Sequence, residues 1–148
     1  MCRDLSDLGI YARVSNPVFR TMLRRRFGLK KIHNFYGLVE QIGSVFLEGE
    51  DGLLYPPNFT EVIIRRPDTW KPASEGEEGV IQVISLLPRS YPGHSVLTED
   101  LGIVVSVDGG AGGRYGKAIS IVGRVPKAEL RGCSDVIAEQ ISLDTSPA

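Results

Sequence analysis

Residues 79–87 read GVIQVISLL, an alternation of period two that belongs to a β-strand, and the fold is read outward from it. Upstream, FTEVIIR (59–65) is a second strand, and Pro67-Asp68-Thr69 opens a turn-rich connection that runs through Pro72 and Gly76. Further upstream, Phe46-Leu47-Glu48 and Leu53-Leu54-Tyr55 flank Gly49-Glu50-Asp51-Gly52, a hairpin signal. Downstream, Leu101–Val107 and Ala118–Val122 make two more strands, joined by the glycine-rich Gly109–Gly113. The first quarter differs. Ser15-Asn16-Pro17 reads as a helix start, with a capping side chain before Pro at the first helical position. Val18, Phe19, Met22 and Leu23 then share one face, Arg20 and Arg24 fill the opposite one, and Gly28 is the stop. Lys31–Tyr36 (KIHNFY) is expected as a short strand after the helix, as in an α/β layer, and Leu38–Ile42 as the start of another helix. The predicted class is α+β: an α/β start followed by an antiparallel β unit.

Composition bounds the rest. The chain has 148 residues, a size that buries an ordinary core in one domain. Its 42% hydrophobic and 24% charged content lies near the globular norm and argues against disorder. Lys+Arg is 17 against 18 Asp+Glu, which excludes nucleic-acid or membrane binding resting on bulk charge. Arg24–Arg26 reads as a solvated helix face. No apolar run approaches membrane-spanning length, Asp4 and Asp7 stand where a signal peptide would be apolar, and two cysteines 131 positions apart, Cys2 and Cys133, are no disulfide framework. A cytoplasmic location is the expectation. The pattern weakens after Asp135, which sets one domain over residues 1–135 and a tail over 136–148.

The familiar catalytic signatures are absent: the chain holds no G-x-x-x-x-G-K-[ST], H-E-x-x-H, paired C-x-x-C or G-x-S-x-G. The 109–116 loop joins two strands and opens no helix, so it reads as a hairpin tip rather than a phosphate cradle. His33 and His94 are 61 residues apart without a third ligand, and no metal site is expected of them. Three segments stand out. Phe35–Glu40 places an aromatic, a glycine and an acid where a strand ends, a position that ligands favour in open α/β sheets. Tyr91–Gly102 carries Thr98, Glu99 and Asp100 ahead of a strand, with a polar turn as its plain reading. Val122–Cys133 is glycine-bounded and charge-dense, just past a strand. Taken singly, each is explained as scaffold.

Their order is more telling. Y-G-x-x-E, then G-E-x-G before a strand (Gly76–Val80), then T-x-D-L-G, then a strand and G-R-x-x-K…R-G resembles the second half of the adenylate-forming enzymes. NFYGLVEQIGSVFLE (34–48), SYPGHSVLTEDLG (90–102) and GRVPKAELRGCSD (123–135) resemble most closely the LuxE-type acyl-protein synthetases, across residues 16–135. The resemblance implies the C-terminal part of the large domain of such an enzyme, with the lid domain absent. It implies ATP and Mg2+ as cofactors and a fatty or other carboxylic acid as substrate. Residue by residue, it implies Tyr36, with Gly37, against the adenine, Glu40 on the magnesium of the triphosphate, Asp100 on the ribose hydroxyls and Arg124 on the same nucleotide. Such an aromatic face and hard carboxylate suit these tasks. Cys133 matches by position and neighbours the acylated cysteine of the family, and its plain alternative is a small buried hydrophobe.

The sequence also departs from the pattern. Glu99 replaces the glycine of T-G-D, Lys127 stands near a usually acidic hinge position, and Gly110–Arg114 lacks the cysteines of some relatives, so no zinc is expected. The phosphate loop and acyl-binding half would lie upstream of Met1, so the isolated chain is expected to be inactive. The expected function is ATP-dependent activation of a carboxylic acid as acyl-adenylate and transfer to a cysteine thiol, and the resemblance implies an acyl-accepting or acyl-reducing partner protein. The alternative is a non-catalytic nucleotide- or protein-binding module that keeps the fold. Neither nucleic acid nor membrane is an expected partner.

Overall fold

Helix α1 spans Asn16–Phe27, where the capping and periodicity signals place it. Gly28 ends it with φ +66°, and its N–H donates to Arg24 O at 2.9 Å, the left-handed closure that glycine adopts at least cost. Arg24, Arg25 and Arg26 occupy the last turn, where cations meet the negative end of the helix dipole. The Asn16 side chain accepts from Arg20 Nε at 3.3 Å. The computed structural model describes residues 16–89, 93–110 and 113–126. Cys2, Cys133, Lys127 and the 136–148 tail lie outside the described residues. The chain divides into two units, Met1–Ile32 with Glu129–Ala148, and His33–Ala128. Among the described residues no helix is long and apolar enough to cross a membrane.

The second unit is a seven-stranded sheet. In chain order its strands are β1 (Phe35–Tyr36), β2 (Phe46–Glu48), β3 (Leu54–Tyr55), β4 (Thr60–Arg65), β5 (Glu78–Ser85), β6 (Ser95–Val107) and β7 (Lys117–Arg124). In space they run β1-β2-β3-β7-β6-β5-β4, and every neighbouring pair is antiparallel. The hairpin at 46–55 and strands β4 and β5 stand where the sequence puts them, whereas β6 begins at Ser95 rather than Leu101 and β7 runs on to Arg124 rather than ending at Val122. The first quarter does not continue as an α/β layer: β1 is two residues long and pairs antiparallel with β2. Nor does Leu38–Ile42 open a helix. It makes one 3-10 turn, Val39–Gln41, because Gln41 is drawn inward. Its amide, 1% exposed, donates to Val83 O at 3.0 Å and Gly93 O at 2.6 Å.

The sheet is curled. Phe46, Leu54, Val62, Ile64, Ile81, Val83, Val104 and Ile119, drawn from β2 through β7, form one buried cluster. Each such side chain contributes about 1.5–3 kcal/mol on burial, and rolling the sheet into a half-barrel gathers them on its concave face. Polar contacts fasten the roll. Lys117 Nζ, at the start of β7, donates to Glu61 Oε1 at 2.7 Å and to Val62 O at 2.7 Å on β4, three strands away in sheet order. Ser44 Oγ, ahead of β2, donates to Ser85 Oγ at 2.6 Å and accepts from Thr60 Oγ1 at 3.1 Å. The Lys117 contact and the crossing of Pro72-Ala73, whose Ala73 N–H donates to Ile64 O at 2.8 Å, also cover the edge strand β4 against foreign pairing.

Two glycines permit the tight approach of β4, β5 and β6. Gly79 and Gly102 are register partners; a Cβ on Gly79 would stand 2.3 Å from Arg65 O, and one on Gly102 2.8 Å from Ile81 Cδ1. At Gly123 nothing lies within 4 Å of such a Cβ. Overpacking against backbone therefore predicts that Gly79→Ala lowers the unfolding free energy by about 1–3 kcal/mol, whereas Gly123→Ala stays within roughly 0.5 kcal/mol. Urea denaturation of the two variants checks this.

Candidate functional site

Strand β6 runs thirteen residues, Ser95–Val107, and Thr98-Glu99-Asp100 lie inside it rather than in a turn ahead of it. The polar character of the triplet has another cause. On β5, Gln82 faces Leu97 and Val80 faces Leu101, so Ile81 alone opposes all three residues. They form a bulge, which leaves ladder groups to be satisfied by other means. Thr98 does this: its hydroxyl donates to Ile81 O at 2.8 Å and accepts from the Asp100 N–H at 3.1 Å. The bulge re-aims the next two side chains toward β7. Arg124, the last residue of β7 rather than part of a loop beyond it, is the register partner of Asp100. Its Nη2 donates to Glu99 Oε2 at 3.0 Å, and its Nε lies 3.8 Å from Asp100 Oδ1.

Tyr36 arrives from the far side of the sheet. Four strand spacings separate β1 from β6, roughly 19 Å on a flat sheet. Because the sheet is rolled, the Tyr36 hydroxyl donates to Asp100 Oδ2 at 2.8 Å. The ring packs edge-on against Phe46, centroids 5.6 Å apart and planes at 76°, a favourable aromatic geometry. Burial, then the Asp100 charge and hydrogen bond, push the Tyr36 hydroxyl far above its ordinary range, with Thr98 and Arg124 pulling the other way.

Of the residues that the sequence singles out, the structure thus brings Tyr36, Asp100 and Arg124 together. Glu40 stands apart on the exposed face of the 3-10 turn and makes no hydrogen bond or ion pair among the described residues. Gly37 is exposed after β1, where a methyl would meet Val45 Cγ2 at 3.7 Å, an ordinary contact. The expected reactive cysteine, Cys133, lies outside the described residues. Sequence reasoning missed Thr98 as the bulge's hydrogen-bonding pivot, Glu99 as the partner of Arg124, and the buried anchor Gln41. A polar triplet interrupting an otherwise apolar run, Leu97 to Val107, was the signal available for the first two.

A folded-state value above the unfolded one means that the neutral phenol is favoured by folding. Tyr36 stabilisation is full below about pH 10 and is lost as pH rises through the folded-state value. Thermal midpoints measured from pH 8 upward should fall beyond about pH 10, and Tyr36→Phe should flatten that fall.

Comparison with known proteins bears on this arrangement. The family described as "Acyl-protein synthetase, LuxE" matches residues 12–142. The chain is similar to the long-chain-fatty-acid–luciferin-component ligase of Aliivibrio fischeri, 27% identical over 126 residues that cover 83% of this chain and 32% of that protein. It therefore spans about a third of the length of that relative. Among solved structures it is similar to a luciferase-like enzyme from the nonluminescent mealworm Zophobas morio, with TM-score 0.48 and 18% identity over 76% of this chain and 30% of that one. The match over residues 12–142 takes in every described strand and the Tyr36–Asp100–Arg124 cluster, and the chain belongs to the LuxE family of acyl-protein synthetases.

Proposed function

We propose that this chain holds ATP for a LuxE-type acyl-protein synthetase acting on a fatty or other carboxylic acid. The observation that carries the reading is the convergence of Tyr36, Asp100 and Arg124, from three separate strands, on one spot of the rolled sheet. Asp100 supplies a carboxylate acceptor for the ribose hydroxyls, Arg124 a planar cationic donor for the same nucleotide, and Tyr36 an aromatic ring beside them. The substrate carboxylate oxygen attacks the α-phosphorus of ATP, the bond to the bridging oxygen breaks, and pyrophosphate leaves. A cysteine thiolate, proposed as Cys133, then attacks the acyl carbonyl and AMP departs, leaving a thioester.

Magnesium fits the residues present in one way. Among the described residues no three His, Cys, Asp or Glu side chains cluster as a cage. Mg2+ with a nucleotide is commonly held by one or two carboxylates plus the phosphates, and the exposed Glu40 provides such an oxygen. Bound there, the cation would spread the charge of the departing pyrophosphate. Glu40 would be the carboxylate that holds the cation on the triphosphate. Among the described residues no helix stands between β6 and β7, so this link offers no helix N-terminus to the phosphates. The 148 residues by themselves are therefore proposed to bind nucleotide without forming the adenylate.

Calorimetry with AMP tests the reading. Asp100→Ala removes a charge-assisted acceptor and should weaken binding by about 1.5–3 kcal/mol. Asp68→Ala, which breaks an exposed pair with Arg66 at 3.3 Å, should leave it unchanged. Equal losses in the two variants, or no AMP binding by the parent chain, would refute the nucleotide assignment. The cysteine step has its own test: with acyl-adenylate supplied, the parent chain should take up a hydroxylamine-labile acyl group and Cys133→Ser should not. Equal uptake removes Cys133 from the mechanism.

A further inference from the structure

Asp100, the residue assigned to the ribose, already serves two protein groups. Its Oδ2 accepts from the Tyr36 hydroxyl at 2.8 Å, and its Oδ1 lies 3.8 Å from Arg124 Nε. An oxygen that already accepts a strong hydrogen bond is a poorer acceptor for another, and a phenol donating to a carboxylate makes a charge-assisted bond. We propose that the Tyr36 hydroxyl is a built-in competitor for the ribose acceptor: it donates to Asp100 Oδ2 and must release that oxygen when a nucleotide's ribose hydroxyls bind. This inference rests on the nucleotide reading above and concerns the regulation of that same site.

Three features of the structure favour the role. The bond joins the first strand of the sheet to the fifth in spatial order, so it latches β1 across the concave face rather than sitting between neighbours. The ring has its own anchorage, edge-on against Phe46 and packed on the core cluster, so it keeps its place when the hydroxyl lets go. The phenol also stays protonated, and so remains a donor, throughout the ordinary pH range, since burial and the Asp100 charge both favour its neutral form. The exchange is simple in its balance. The phenol O–H leaves the carboxylate for water, and the ribose hydroxyls take its place with no bond made or broken covalently.

The experiment is calorimetric titration of the full 148-residue chain and of Tyr36→Phe with AMP and, separately, with adenine. Tyr36→Phe keeps the ring and deletes the competitor. AMP should bind roughly fivefold to twentyfold more tightly to the variant, the equivalent of one such hydrogen bond, whereas adenine, which brings no hydroxyl to Asp100, should bind both proteins alike. The gain should vanish in Tyr36→Phe/Asp100→Ala. If the parent chain binds AMP and Tyr36→Phe binds it no better, or if adenine gains as much as AMP, the competitor role is overturned and the nucleotide reading stands. If neither protein binds AMP, the nucleotide reading falls and takes the inference with it. If Tyr36→Phe fails to fold, the parent chain answers instead: its Tyr36 Cζ resonance should shift further on saturation with AMP than with adenine, since the ring-current effect of the base is common to both. A shift no larger with AMP than with adenine overturns the proposal.

Discussion

The roll of the antiparallel sheet is the constraint on which everything else depends. A flat seven-stranded sheet with the order found here would set Tyr36 and Asp100 four strand spacings apart, roughly 19 Å, and no tyrosine side chain spans that. Their 2.8 Å hydrogen bond exists because apolar residues of six strands gather on one concave face. The driving force is non-directional burial, and the geometry is refined by contacts that tolerate little error. Gly79 and Gly102 let β4, β5 and β6 approach closely, and Lys117 ties the first residue of β7 to β4. The candidate site is thus a product of the core.

The second constraint is local. A strand of regular pleat would send Glu99 and Asp100 to opposite faces. The bulge at Thr98–Asp100 breaks that alternation, and both carboxylates come within reach of the one guanidinium of Arg124. The Thr98 hydroxyl makes the irregularity tolerable by bonding to Ile81 O and the Asp100 N–H in place of the lost ladder bonds. A valine at 98 would keep the shape and leave two buried polar groups unsatisfied. Bulges often adjoin functional sites because they point side chains where a regular strand does not. Here the departure from regularity and its structural compensation sit in three consecutive residues.

How much of this was legible in the sequence follows from the range of each interaction. Helix α1, the 46–55 hairpin and strands β4 and β5 rest on capping, turn chemistry and periodicity, all of which are local, and they appear where expected, while β6 and β7 are present but extend through Thr98–Asp100 and Arg124, where periodicity breaks. The early stretch was misread where a distant partner decides. Gln41 abandons a helix because its amide finds Val83 and Gly93 carbonyls 42 and 52 residues away. Likewise β1, short and apolar, reads equally well as parallel or antiparallel until β2 pairs with it. At the site, the ordered motifs marked Tyr36, Asp100 and Arg124, which do converge. Periodicity gave no hint of the bulge, since a two-residue insertion relative to a partner strand is invisible until the partner is known. The pairing of Glu99 with Arg124 was hidden for the same reason, because regular alternation would have kept Glu99 away.

The charges of the site bear on the form in which a nucleotide would arrive. Of the charged residues assigned to it, Glu40, Glu99 and Asp100 are carboxylates and Arg124 is the one cation, with Tyr36 neutral. Arg124 is already drawn toward two of those carboxylates, so little positive field is left for phosphates. A bare triphosphate would meet net repulsion, stronger for the partly buried groups that salt screens least. A triphosphate carrying magnesium would not, because the cation gives Glu40 an attractive partner and lowers the charge that Glu99 and Asp100 face. On the proposed reading, then, Asp100 and Tyr36 select for the nucleoside end. On that same reading, the excess of carboxylates would favour a phosphate end that carries magnesium.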